Sequence, residues 1–268
     1  LDASLDASSL PRNTPPGNGG PITLLAAGDI VQAADTVILS GGRLGGAITL
    51  KSGEAIRLNG DTFSITNTTT TEKGGTISLS SRSLALLDGA RVIALTTRNG
   101  TGGDILVTAI DGVQVSGTSA SGQLSTINTQ TSGSGAAGNL TLATGQLTVQ
   151  GGGQIFANSF GAGGGGNLTV NATDILLDGT NLATTFASSL AANAVGSGNA
   201  GILKIASDRL TVQNGAQIGA GTFAAGNGGV LDITATESLL VRGQARAPSA
   251  IFTAATSAST GKAGTVAI

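Results

Sequence analysis

Apolar and polar residues alternate with period two in short stretches, and the stretches return in a fixed phase. A small pair, usually Gly-Gly or Ala-Gly, precedes x-(I/L)-x-(L/V/I). It occurs as GGPITL at Gly19, GGAITL at Gly45, GGTISL at Gly74 and GGDILV at Gly102. It continues as AGNLTL at Ala137, GGNLTV at Gly165, AGILKI at Ala200, GGVLDI at Gly228 and AGTVAI at Ala263. Strict alternation predicts half-buried strands. The second residue of each pair stands at Gly20, Gly46, Gly75, Gly103, Gly138, Gly166, Gly201, Gly229 and Gly264, so the spacings are 26, 29, 28, 35, 28, 35, 28 and 35. The basic period is 28, and seven residues are added in alternate units toward the end.

Counting from that glycine, positions +2 and +4 are branched aliphatics, as in Ile48/Leu50 and Leu140/Leu142. A second alternation follows at about +9 to +12, for example Leu84/Leu86, Leu147/Val149 and Leu210/Val212, and closes on Gly60, Gly89, Gly117, Gly151, Gly179, Gly215 or Gly243. Several of these glycines follow Asn or Asp, which suits a left-handed corner. A third apolar position stands at +17 in Phe63, Val92, Ile155 and Ile218, and Ile127 occupies it displaced by seven. The added residues are therefore expected between the second corner and the third strand. The predicted architecture is all-β: a single right-handed parallel β-helix (β-solenoid) of about nine coils of 28 or 35 residues. Single coils cannot bury their apolar positions alone, so neighbours stack on a shared core. Handedness comes from the general rule for parallel crossovers. The helix is expected over residues 19–268, with residues 1–18, which hold three of the five prolines, as a linker or the tail of a preceding coil.

Composition narrows the picture. Of 268 residues 44 are Gly, six are Phe, and Tyr, Trp, His, Cys and Met are absent. So few aromatics imply a thin core of Ala, Val, Ile and Leu. Thirteen basic against 15 acidic residues leave a net charge of −2, and no basic residue lies between Arg98 and Lys204, which argues against nucleic acid. No apolar run reaches the ~20 residues of a membrane span. The lack of Met, even at position 1, suggests a processed product or an internal fragment.

The phrases GAGGGGNLTV, SGSGAAGNLTLATGQLTV and VQNGAQIGAGTFAAGNGGVLDI resemble the filamentous-haemagglutinin-like adhesins exported by two-partner secretion in Gram-negative bacteria, cyanobacteria among them. The resemblance runs from about Gly19 to Ile268. It implies secretion to the cell surface or beyond, and service as an adhesin, a fibre or a stalk. The Asn-rich export domain of that family has no counterpart in this sequence.

No catalytic, cofactor-binding or metal-ligating set stands out. Enzymatic β-helices line a groove with clustered carboxylates and a base, whereas the acids here are scattered, and Asp88 and Asp178 directly precede corner glycines. No Lys or Arg lies near Asp104, Asp111, Asp174 or Asp178 in sequence. NGTGGD at Asn99 lacks the glycine register of calcium-binding β-rolls. GxGxxG-like strings at Gly161 precede a strand, the reverse of a dinucleotide site. Outward threonines at +3 are interrupted by Leu106, Lys204 and Asp232, against an ice-binding array. The candidate for partner contact is the loop NLATTFASSLAANAVG, whose Leu182, Phe186 and Leu190 have i, i+4, i+8 spacing and predict a short helix lying on the rod. Phe160 and Phe223 share one phase and are expected to shield a corner.

The expected function is a non-enzymatic segment of a secreted filamentous protein, an adhesin shaft or extracellular fibre subunit. The alternative is a polysaccharide-active β-helix enzyme. The expected partner is a host, cell-surface or matrix component. Val266 and Ile268 in the last strand add the expectation of end-to-end association through terminal coils, since an unpaired strand edge is a template.

Overall fold

The computed structural model describes residues 5–6, 17–34, 36–60, 65–179, 186–243, 248–256 and 260–268. Among these there are strands and no helix. All named strand pairs are parallel, and the described strands form a nine-stranded and an eleven-stranded sheet. The fold is an all-β parallel solenoid.

The anchor strand and the second strand do not remain separate. They are distinct in Ile48–Ser52 and Ala55–Asn59, but from Ile77 they fuse into continuous strands, Ile77–Leu87, Ile105–Ser116, Leu140–Gln150, Leu168–Asp178, Ile202–Gln213 and Val230–Arg242. The alternation shows why. Buried residues switch parity midway, from Ile77 and Leu79 to Leu84 and Leu86, and from Leu168 and Val170 to Ile175 and Leu177. A change of parity turns the other face of the strand inward, so the sheet bends around the core without a glycine turn. Where one coil carries an extra residue the ladder shifts, at Ala109/Gly112 and Ser207/Arg209.

The third strand follows the second corner and builds the nine-stranded sheet. Its core column is Val92, Ile127, Ile155, Leu190, Ile218 and Ile251, matched coil to coil, and the backbone of Ile65 is in register with Val92. Ile65 takes the register position expected of Phe63, which lies outside the described residues. Leu190 fills the column in strand Ser189–Ala191 and is fully buried. It is not part of a helix; its place at +24 is that of Ile127, displaced by the same seven residues.

Two kinds of glycine hold the corners. Gly89, Gly117, Gly151, Gly179 and Gly215 have positive φ, and Asp88 and Asn214 beside them do too. The anchor glycines serve a different purpose. A Cβ on Gly138, Gly166, Gly201 or Gly229 would fall 1.8–1.9 Å from the carbonyl oxygen of the preceding anchor glycine. The repeat therefore marks backbones stacked too closely for any side chain.

Polar columns run beside the core. Asp104 Oδ1 accepts from Asn139 N, Asn139 Oδ1 from Asn167 N, and Asn167 Oδ1 from Ile202 N, at 2.8, 3.0 and 3.0 Å. A second ladder climbs through Asn199, Asn227 and Lys262 N. Each side chain ties a backbone N–H of the next coil, so the corners are bonded as the strands are.

Candidate functional site

In the coil beginning at Gly103 the added residues lie between Gly117 and Thr126, as a small excursion closed by an antiparallel bridge from Thr118 to Leu124. Ser125 ends it. Its hydroxyl donates to Ser116 O at 2.6 Å and accepts from Gly89 N of the coil before at 2.9 Å. Ser188 repeats this with Asp178 O and Gly152 N, and Ser249 with Arg242 O and Gly215 N. Shorter coils carry Ala90, Gly153 and Ala216 at the same phase. These serines were not singled out in the sequence; the signal is Ser-x-(Ile/Leu) before the third strand, at Ser125, Ser188 and Ser249.

Stacking brings together charges distant in the chain. Arg82 lies 3.4 Å from Glu54 and 3.6 Å from Asp111. Arg209 makes a two-pronged contact with Asp174, at 2.5 and 2.8 Å, and reaches Glu237 at 2.7 Å. Asp111 and Asp174 thus gain basic partners that their sequence neighbourhoods lack. The pairs with Asp174 and Glu237 hold the Arg209 guanidinium above its ordinary range. Asp29 carries a carboxyl held below its ordinary value by the Ala55 N–H and then by Arg57. Asp178 accepts from Asn214 Nδ2 at 2.7 Å. Among the described residues no group of three or more acidic side chains is placed to hold a metal ion, and no helix is long and apolar enough to cross a membrane.

Of the proposed contact loop, Leu182 lies outside the described residues, Phe186 is 55% exposed, and Leu190 is core. Phe186 is nonetheless well placed. It lines a concavity of about 330 Å³ on the nine-stranded sheet with Phe156, Phe223 and Phe252. Four of the six phenylalanines meet there. Phe156, Ala191, Gly219 and Phe252 are consecutive rungs of one outward column, so two small residues make the hollow and two rings bound it. The Phe252 ring leans over Gly219, where a methyl group would fall 2.6 Å from its Cζ. Phe160 and Phe223 do share a column, with Val195 between them, and all three are about 40–45% exposed.

A second, more open concavity lies over the bend of the other sheet and is lined by Arg57, Asp111, Gln114, Gln146 and Thr148. Its charged groups are Arg57, paired with Asp29, and Asp111, near Arg82. No family model matches the chain, and no curated protein or solved structure matches it.

Proposed function

We propose that this chain is a non-enzymatic segment of a secreted filamentous protein, with right-handed coils, serving as an adhesin shaft or an extracellular fibre subunit of the filamentous-haemagglutinin type. The observation that carries the reading is the uniform coupling of coil to coil. Strand ladders run from Ile22 to Ala267, and asparagine and serine columns bond the corners between them. Such a construction transmits load along its axis and extends by repetition. The ion-paired Asp111 and Asp174 belong to the same coupling, since each holds an arginine of a neighbouring coil. The proposed partner is a host, cell-surface or matrix component met outside the cell. End-to-end contact between copies is part of the proposal, through coil faces such as the one bearing Val241 and Val266.

The test is adhesion and turnover measured on the same purified protein. Retention on cell-surface or matrix material, without release of reducing ends from pectin or other polysaccharides, is the expected result. Turnover of any of these would establish the polysaccharide-active alternative. Native filaments dissolved in strong denaturant should release either chains of 268 residues or a far longer polypeptide, separating copies joined end to end from one continuous shaft.

A further inference from the structure

The hollow bounded by Phe156 and Phe252 has a composition unlike the rest of the surface. None of its described lining residues is charged. Besides the rings it presents amides: Gln154, Asn158, Asn193 and Gln217. Two of these amides are oriented by the backbone. Asn158 Oδ1 accepts from Asn193 N, and Asn193 Oδ1 accepts from Gly221 N, both at 2.8 Å. With the oxygens so committed, the planar amides must present their Nδ2 donors elsewhere. Asn158 is only 8% exposed, so packing as well as this bond holds its amide plane in place. A donor whose amide plane is already fixed can meet a ligand acceptor without rearrangement.

We infer that this hollow binds a short stretch of an uncharged glycan. Flat apolar faces of a sugar ring match the phenyl rings, and hydroxyls, which both donate and accept, match fixed amide donors and the freer Gln217. The absence of charge disfavours sulfated or uronic acid chains, whose desolvated anions would find no counter-charge. A peptide is a poorer fit because its main chain needs an open strand edge. Here the backbone groups of the floor already run along the rod axis to neighbouring coils. Size agrees with this: about 330 Å³ is at the lower end of small-ligand pockets, about 300–1,000 Å³. The column from Phe156 to Phe252 spans three rungs, about 14 Å at the usual strand spacing, enough for a few sugar units. The inference deepens the adhesin reading and rests on it, by giving the rod a contact chemistry.

The chain has no Trp or Tyr, so calorimetric titration is the suitable readout. The probes are neutral glucan, mannan, galactan, xylan and N-acetylglucosamine oligomers, with sulfated and uronic acid oligomers and a peptide library beside them. The expected result is binding of at least one neutral oligomer, weakened tenfold or more in Phe186→Ala and in Ala191→Phe. The first removes an exposed ring, and the second fills the hollow. Phe186→Ala leaves the core untouched, so it serves if Ala191→Phe fails to fold. Binding of no neutral oligomer, preference for anionic oligomers or peptides, or unchanged affinity in folded variants would each overturn the inference. Whole-surface adhesion that survives both variants would overturn the groove while leaving the adhesin reading standing; loss of all adhesion in the unaltered protein would sink that reading itself.

Discussion

Glycines two residues apart carry very different constraints in this chain. A Cβ at Gly166 would sit 1.8 Å from Gly138 O, whereas one at Gly164 has nothing nearer than 3.9 Å. Gly166→Ala should therefore force the coils apart and cost about 1–3 kcal/mol or more, and Gly164→Ala should change stability by less than about 1 kcal/mol. Urea melts of the two variants check this, and equal losses would mean that the anchor glycines are not tightly stacked. Core and surface should separate just as sharply. Leu147 is fully buried and Thr148, next to it, is partly exposed and faces out. Leu147→Asp should unfold the rod by burying a carboxylate without a partner. Thr148→Asp should lose less than about 1 kcal/mol, and comparable losses at both positions in the same melts would show the strand phase to be wrong.

At the scale of the element, the longer coils depend on their closing serines. Ser188→Ala would leave both Gly152 N–H and Asp178 C=O without their partner, at a cost of about 1–3 kcal/mol. Ser134, which is exposed, offers a control whose replacement by Ala should be near neutral. Hydrogen exchange should show faster exchange of the Gly152 amide in Ser188→Ala; an unchanged amide would separate the serine from the corner. Charge pairs are a weaker bond of the same kind. Asp29 has a lowered carboxyl pKa, so its stabilising contact with the Ala55 N–H and Arg57 is fully present above the ordinary carboxylate value. It is lost as pH falls through the lowered one. Asp29→Asn should lower Tm at neutral pH, where the contact is fully present, and converge with the unaltered protein as pH falls through the lowered value, so that the acid end of the profile flattens; a difference that grows toward acid pH in Tm measured against pH would contradict that sign.

For the whole molecule, cohesion comes from the aliphatic column and from backbone bonds between coils. Exposed ion pairs such as Arg82–Glu54 and Lys204–Asp232 add little, each within about 0–1 kcal/mol. Tm should accordingly move by only a few degrees between low and high salt. A chelator should leave it unchanged, because no acidic cluster among the described residues is placed for a metal. Calorimetry at low and high salt, and with and without chelator, reads both, and a large fall on metal removal would reveal a bound ion as part of the fold.

Local chemistry alone determined the strands, their inward phase and the coil period. Those features are repeated side-chain choices, each legible as apolar alternation or as a small pair at fixed spacing. Even the place of Leu190 was available, since the +24 position of Ile127 repeats there; a helical spacing shared with Phe186 and Leu182 masked it. Other features depend on which residues become neighbours 28 or 35 positions apart. Fusion of the first two strands needed the bend around a common core, which a parity switch permits but does not announce. Arg82 meets Asp111, and Arg209 meets Asp174, only when the coils are in register. The hollow is the clearest case. Phe156, Ala191, Gly219 and Phe252 are unremarkable one by one, and they become two rings around a gap because parallel stacking places them on successive rungs.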